Sequence, residues 1–197
     1  MKVLKIVYNA IKKPKSALIV LIRSPRIAKH IPSKIYLKML FYLILGRTLD
    51  LNNPKTLNEK LQWMKLYDHR LEYVMMVDEY KVRDYVKKSI GEEYLVPLIN
   101  VWDDPDNINF NDLPEKFVLK CNHNSGEGMC ICRDKSKLNI QNVRSELKKG
   151  LQSDYYSFSR EWPYSKVPRK VICEALLEYK DINKPIEDYK FMCFNGV

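Results

Sequence analysis

The sequence predicts a mixed α/β (α+β) fold, with helices first and short strands after, and three observations carry that prediction. Residues 56–89 bear a helix-start signal followed by apolar residues at helical spacing. From residue 94 onward, apolar runs of strand length are separated by turn residues. Among them, Phe117-Val-Leu-Lys120-Cys-Asn-His-Asn-Ser125-Gly126-Glu-Gly128-Met-Cys-Ile-Cys132 reads as strand, flexible turn and strand, with a cation at the mouth of the turn. At 197 residues and 46% hydrophobic, the chain can form one well-packed domain that buries roughly 70% of its unfolded surface, which excludes a disordered class. Five cysteines without regular spacing fit a reducing, cytoplasmic setting rather than a disulfide framework. The longest apolar run, Met39 to Leu45, is too short for a membrane span.

Charge divides the chain. The net charge is +10, yet residues 1–49 hold eleven basic residues (Lys2, Lys5, Lys12, Lys13, Lys15, Arg23, Arg26, Lys29, Lys34, Lys38, Arg47) and no acid. The remaining 23 basic and 24 acidic residues leave the body at −1. Residues 1–47 are therefore expected to form a basic, amphipathic helical arm, and residues 48–197 the globular region. The arm interleaves its cations with Val3–Tyr8, Ala17–Ile22 and Ile35–Leu45. That mixture suits a helix lying on an anionic membrane surface, where each basic residue adds about 1 kcal/mol, and so a peripheral place at the inner face of the membrane. It equally suits a helical cap packed on the domain with solvated lysines. Nucleic acid is not expected as a partner, because large aliphatics rather than stacking aromatics separate the charges.

The elements follow in order. Gly46 to Pro54 is a linker with a turn at Asn52-Asn-Pro-Lys. Thr56-Leu-Asn-Glu59 is a capping box that opens a helix ending near Asp68, with Leu57, Leu61, Met64, Trp63 and Tyr67 expected inward. A second helix is expected from about Glu72 to Ser89, stopped by Gly91. Tyr94 to Trp102 reads as a strand turning at Pro97, and Asp103-Asp-Pro-Asp-Asn as a turn. After Cys132 come a loop at 133–137, a helix over Gln141 to Ser153, and an aromatic loop at Arg160-Glu161-Trp162. Lys170 to Glu178 and Asp188 to Phe194 are strand-like.

The Lys120 segment has the parts that phosphate recognition needs. Glycines let backbone N–H groups approach an anion, and a lysine supplies a point charge whose hydrogen bond to phosphate is worth roughly 1.5–3 kcal/mol. It is not a Walker loop, where the lysine follows the glycines and opens a helix, nor a dinucleotide fingerprint, which needs a third glycine. Taken alone, Ser125-Gly126-Glu-Gly128 fits an ordinary hairpin turn equally well.

The order strand, lysine, Gly loop, strand, helix, then a strand ending in glutamate resembles the nucleotide-binding half of the ATP-grasp fold. More closely, Asn53–Lys60, Asp78-x-Tyr-x-Val-Arg83, Ile90–Pro97, Phe117–His123, Ser125-Gly126, Cys173–Leu177 and Asp188–Gly196 resemble the teichuronopeptide-biosynthesis branch of that superfamily, in ordered motifs over residues 48 to 196. The resemblance implies an ATP-grasp-like fold and a set of nucleotide contacts. Lys120 would touch the phosphates, and Asn122 to Gly128, including Ser125 and Gly126, would fold over them. Glu174 to Leu177, Leu176 included, would be the hinge that recognises adenine. Asp188 would contact ribose, and Lys190 a phosphate or the substrate. The implied chemistry is that of an ATP-dependent carboxylate-amine ligase of surface-polysaccharide biosynthesis: ATP phosphorylates a carboxylate, and an amine attacks the acylphosphate. Magnesium would bridge the phosphates, and the acceptor would be a polysaccharide or sugar acid. The family's magnesium ligands lie on strands well after the hinge, and the residues up to Val197 supply no such Asp and Glu pair. The chain is therefore expected to be the front part of a longer enzyme, incomplete at its C-terminus and inactive as a fragment.

Other readings stay open beside this one. Cys121-x-His123 and Cys130-x-Cys132 flank the Gly loop and invite zinc, although zinc sites usually space cysteines two to four residues apart. A glycosyltransferase of the same pathway would need an Asp-x-Asp-like motif, for which Asp103-Asp-Pro-Asp106 is the nearest stretch. A non-catalytic nucleotide-binding remnant is the third. No His, Ser or Cys grouping marks a catalytic nucleophile.

Overall fold

Alternation of apolar residues puts Phe117, Leu119 and Cys121 on one face of their strand, and the sheet is built around that face. The computed structural model describes residues 14–178 and 189–192. Within them, β1 (Leu98–Trp102), β2 (Phe117–Cys121), β3 (Met129–Cys132) and β4 (Val171–Ala175) form an antiparallel sheet of order β1-β4-β2-β3. Phe117, Leu119, Val171 and Cys173 are buried with Ile108, Phe110, Leu113, Val143 and Leu147 in the principal core. Val143, Leu147 and Gly150 are the buried stripe of the helix that closes this face, Ile140–Gln152, capped by the Asn139 carboxamide oxygen accepting from Asn142 N at 3.0 Å.

The preceding helices are α1 (Pro14–Arg23), α2 (Pro25–Ala28), α3 (Ser33–Leu45), α4 (Leu57–Tyr67), α5 (Glu72–Val77) and α6 (Val82–Ser89); the sheet-covering helix is α7, and Tyr155–Ser159 forms α8. The capping box of α4 is present as expected: Glu59 accepts from Thr56 N at 2.8 Å and Lys55 N at 3.0 Å, and Thr56 Oγ1 accepts from Glu59 N at 3.4 Å. Its apolar stripe does not face a core, however. Leu57, Leu61, Trp63, Met64 and Tyr67 are all exposed, because α7 already closes the core face of the sheet and α4 reaches a buried cluster through Leu66. Leu61 and Met64 instead line a groove of about 440 Å³ with Met76, Trp162, Pro163 and Tyr164.

Two further expectations are corrected. The helix expected over 72–89 is split between α5 and α6, because Asp78 leaves helical geometry and its carboxylate accepts from Tyr80 N at 3.0 Å and Lys81 N at 3.3 Å. The strand expected from Tyr94 begins at Leu98: Glu92–Tyr94 is a tight 3-10 turn, and Pro97 O already accepts from Ala175 N at 2.9 Å. Tyr189 to Met192 lie in no regular element, while Asp188 and residues 193–194 of that expected strand fall outside the described residues.

The described part of the arm, residues 14–47, packs on the body. Ile22, Ala28, Tyr36, Leu37, Leu40 and Phe41 form a second cluster with Leu49 and Leu51. Arg160, at φ 59°, donates to the carbonyls of Ala28 and Ile31 and lies 4.5 Å from the Tyr36 ring centre, and Tyr36 Oη donates to Phe158 O at 2.7 Å. No helix among the described residues is long and apolar enough to cross a membrane.

Candidate functional site

Where β2 turns its apolar face to α7, its alternate residues Val118 and Lys120 look the other way. The pairing Val118↔Glu174 and Lys120↔Ile172 makes Lys120 a diagonal neighbour of Glu174, within reach of long side chains. Lys120 Nζ sits 2.8 Å from Glu174 Oε2 and 2.8 Å from Glu79 Oε2. The other Glu174 oxygen accepts from Arg83 at 2.9 Å, and Arg83 also donates to the Val96 carbonyl. Burial disfavours the Lys120 charge, but the hydrogen bonds it donates to Glu174 and Glu79, with their negative charges, outweigh it and hold its pKa above the ordinary lysine value. Met129 and Ile131, opposite Lys120 and Val118 on β3, share this face and are exposed. The result is a half-open apolar shelf with a charged quartet at one end. Beside the quartet, Tyr80, Lys81, Arg83, Tyr85, Lys87 and Leu98 contribute to a groove of about 940 Å³.

The quartet is positioned by a buried polar joint. Asn122, at the end of β2, donates to Asp78 Oδ1 at 2.8 Å and to Pro168 O at 3.0 Å, accepts from Lys170 N at 2.8 Å, and donates its own N–H to Lys170 O at 3.1 Å. Its carbonyl accepts from Glu79 N at 3.1 Å, which places Glu79 at the end of β2, beside Lys120. Asp78 and Asn122 are almost fully buried, as polar groups are when every bond is met. Asn122 is thus held by hydrogen bonds that fix the end of β2.

The expected flap over 122–128 narrows accordingly. His123, Asn124 and Gly128 are buried, and Ser125, Gly126 and Glu127 are exposed. Asn124 donates to Gly150 O at 3.0 Å. Gly128, at φ 65°, crosses α7 so closely that a Cβ there would lie 2.7 Å from the Gly150 Cα. Gly126, at φ 87°, meets nothing within 4 Å. The two glycines, alike in the sequence, do different things: Gly128 allows a backbone crossing and Gly126 a free left-handed turn.

Lys120 and Glu174 are therefore brought together, and the Ser125-Gly126 tip follows directly from the same strand. Leu176 and Leu177 continue from β4, half-buried and exposed respectively. Lys190 is exposed and outside any regular element, and Asp188 lies outside the described residues. Sequence reasoning gave no role to Glu79, Arg83, Asp78 or Gly150. The adjacent acids Asp78-Glu79, breaking an otherwise helical run, were the available signal for the first and third.

Among the described residues, Cys121, Cys132 and Cys173 are buried as packing side chains. Burial pushes the Cys121 and Cys173 thiols up to about 12, and Cys121 Sγ contacts Leu147 O at 3.7 Å. No group of three His, Cys, Asp or Glu residues among the described residues could hold a metal ion. Among the described residues Glu79 and Glu174 are engaged by Lys120 and Arg83, so neither stands as a free magnesium ligand in this arrangement. Asp103-Asp-Pro-Asp106 is turn chemistry: Asp104 accepts from Asp106 N at 2.9 Å, Asp103 pairs with Lys170 at 2.5 Å and Asp106 with Lys148 at 2.6 Å.

A family model described as TupA-like ATPgrasp matches residues 59–197. No curated protein and no solved structure matches the chain.

Proposed function

The chain belongs to the TupA-like ATP-grasp family, and we propose that it binds ATP on the Lys120 face of the sheet and serves as a carboxylate-amine ligase. The observation that carries this reading is the meeting of Lys120 with Glu174 at 2.8 Å, which joins the phosphate-binding strand to the hinge strand. Lys120 would take a phosphate oxygen, and the Ser125-Gly126 tip would close against the phosphates. Leu176 and Leu177 would present backbone groups to adenine, with Asp188 on ribose and Lys190 on phosphate or substrate. A substrate carboxylate oxygen would take the terminal phosphoryl group as ADP leaves, and an amine would then attack the acyl carbon and expel phosphate. The acceptor we assign is a sugar acid of a surface polysaccharide, for which the neighbouring groove offers Lys81 and Lys88 with Tyr80 and Tyr85, beside the acids Asp84 and Glu92. Magnesium would enter on the nucleotide's own phosphates.

Calorimetric titration with ATP tests the reading. Lys120→Ala is expected to weaken binding about tenfold or more, the worth of one charge-assisted hydrogen bond. Saturable binding unaffected by Lys120→Ala would move the nucleotide elsewhere. ATP-dependent amide formation separates a ligase from a non-catalytic nucleotide-binding protein.

The same reading places the arm against an anionic membrane surface. Its support is the exposure of Leu18, Val20, Leu21, Ile35, Met39 and Tyr42 on α1 and α3, helices whose charged residues are all basic. Flotation with vesicles is the check. Binding to vesicles containing phosphatidylglycerol, absent with phosphatidylcholine alone and lost in salt, is expected; equal behaviour with both removes the membrane from the reading.

A further inference from the structure

The charges around Lys120 balance: Lys120 and Arg83 against Glu79 and Glu174. A lysine so neutralised presents little net attraction to an incoming anion. The two acids are not equivalent. Glu174 lies within a strand, is held on its second oxygen by Arg83, and keeps a side chain only 10% exposed. Glu79 lies in the turn between α5 and α6, and its side chain is 41% exposed. Its main chain is fixed by the Asn122 carbonyl, while its carboxylate can swing into water without breaking that anchor.

We propose that Glu79 is a resident counter-ion of Lys120, occupying the place beside the ammonium that a phosphate oxygen must take. It acts through Lys120 as a positioning residue and sets how tightly the face holds polyphosphates, a role that rests on the nucleotide reading above. Each binding event exchanges one carboxylate for one phosphate oxygen. Displaced Glu79 becomes fully hydrated, and Glu174 stays behind to keep the lysine aligned. The exchange weakens the net gain from phosphate and leaves contacts to the nucleoside untouched.

The test is titration of the full chain and its Glu79→Gln variant with ATP, inorganic tripolyphosphate and adenosine, each protein being shown folded by circular dichroism. Glu79→Gln keeps the side chain's shape and removes its charge. Losing a competing ion pair that is partly exposed should tighten ATP and tripolyphosphate by roughly two- to fivefold. Adenosine affinity should not move, whereas a structural lesion would weaken all three. Glu79→Asp, which keeps the charge, should stay close to the parent. Tighter tripolyphosphate binding without any ATP binding would uphold the counter-ion role and remove the nucleotide reading. ATP binding that is equal or weaker in Glu79→Gln would keep the nucleotide and overturn the counter-ion. Failure of both ligands in folded protein would overturn both.

Discussion

On the α7 side of the sheet, Phe117, Leu119, Val171 and Cys173 are shut away from water by Val143 and Leu147. One residue along the same strands, Val118, Lys120 and Glu174 look onto a shelf with exposed Met129 and Ile131 at its edge. The strands are shared and their residues alternate, so in β2 and β4 the odd positions build the core and the even positions face the shelf. Substitutions on the first face should unfold the protein, and those on the second should change what it binds.

The largest break in that contrast is Phe117→Ala. Phe117 is wholly buried, and its truncation should cost about 3–5 kcal/mol in urea unfolding. A loss below about 1 kcal/mol would mean the principal core is not where it is drawn. Next comes Gly128→Ala. Left-handed strain adds roughly 1–2 kcal/mol, and overpacking against Gly150 a further 1–3 kcal/mol. Gly126→Ala carries only the strain term, so its loss should stay near 1–2 kcal/mol; equal losses at the two glycines would erase the distinction between crossing and tip.

His123 sharpens the comparison by pH. It is 1% exposed, and its ring nitrogens make no well-formed hydrogen bond, the Ser153 backbone offering only a minor opposing pull on its pKa. Burial, assisted by Arg169, lowers its pKa below 6.5. As pH falls through the unfolded value the unfolded chain takes the proton first. Stability is therefore full above about 6.5 and declines from there toward the folded pKa. The slope is bounded by one proton, about 1.4 kcal/mol per pH unit. Thermal melts between pH 7.5 and 5.5 should show this decline, flattened in His123→Gln; a parallel decline in the variant assigns it to other groups. Lys120→Met should weaken ATP binding and cost about 1–3 kcal/mol of stability, because it removes one counter-charge from Glu174, whose side chain is 10% exposed and keeps Arg83.

Local signals were the legible ones. The capping box at Thr56 and Glu59, the strand–turn–strand around Lys120 and the helix over Gln141 to Ser153 each declare themselves in 16 residues or fewer. The pairing of Lys120 with Glu174 was not legible in the sequence: motif order named both residues, and only strand register brings them together. The break at Asp78 depends on Asn122, 44 residues away, and Gly150 matters only because Gly128 crosses it. Arg83 sits in a quoted motif, yet its role needs Glu174 across 91 residues. The exposed stripe of α4 misled for another reason: helical periodicity shows that one side is apolar, not that a core waits beneath it.

The last turn of α7 has a further consequence for reach. With Asn124 hydrogen-bonded to the Gly150 carbonyl and Gly128 seated on its Cα, both ends of the tip are fastened to a single residue. Only Ser125, Gly126 and Glu127 lie between those rivets, and three residues extend no farther than about 10 Å. Such a segment is a latch and not a lid: it can bolt down the nearest part of a ligand, while a longer one must find its outer wall on some other stretch of chain.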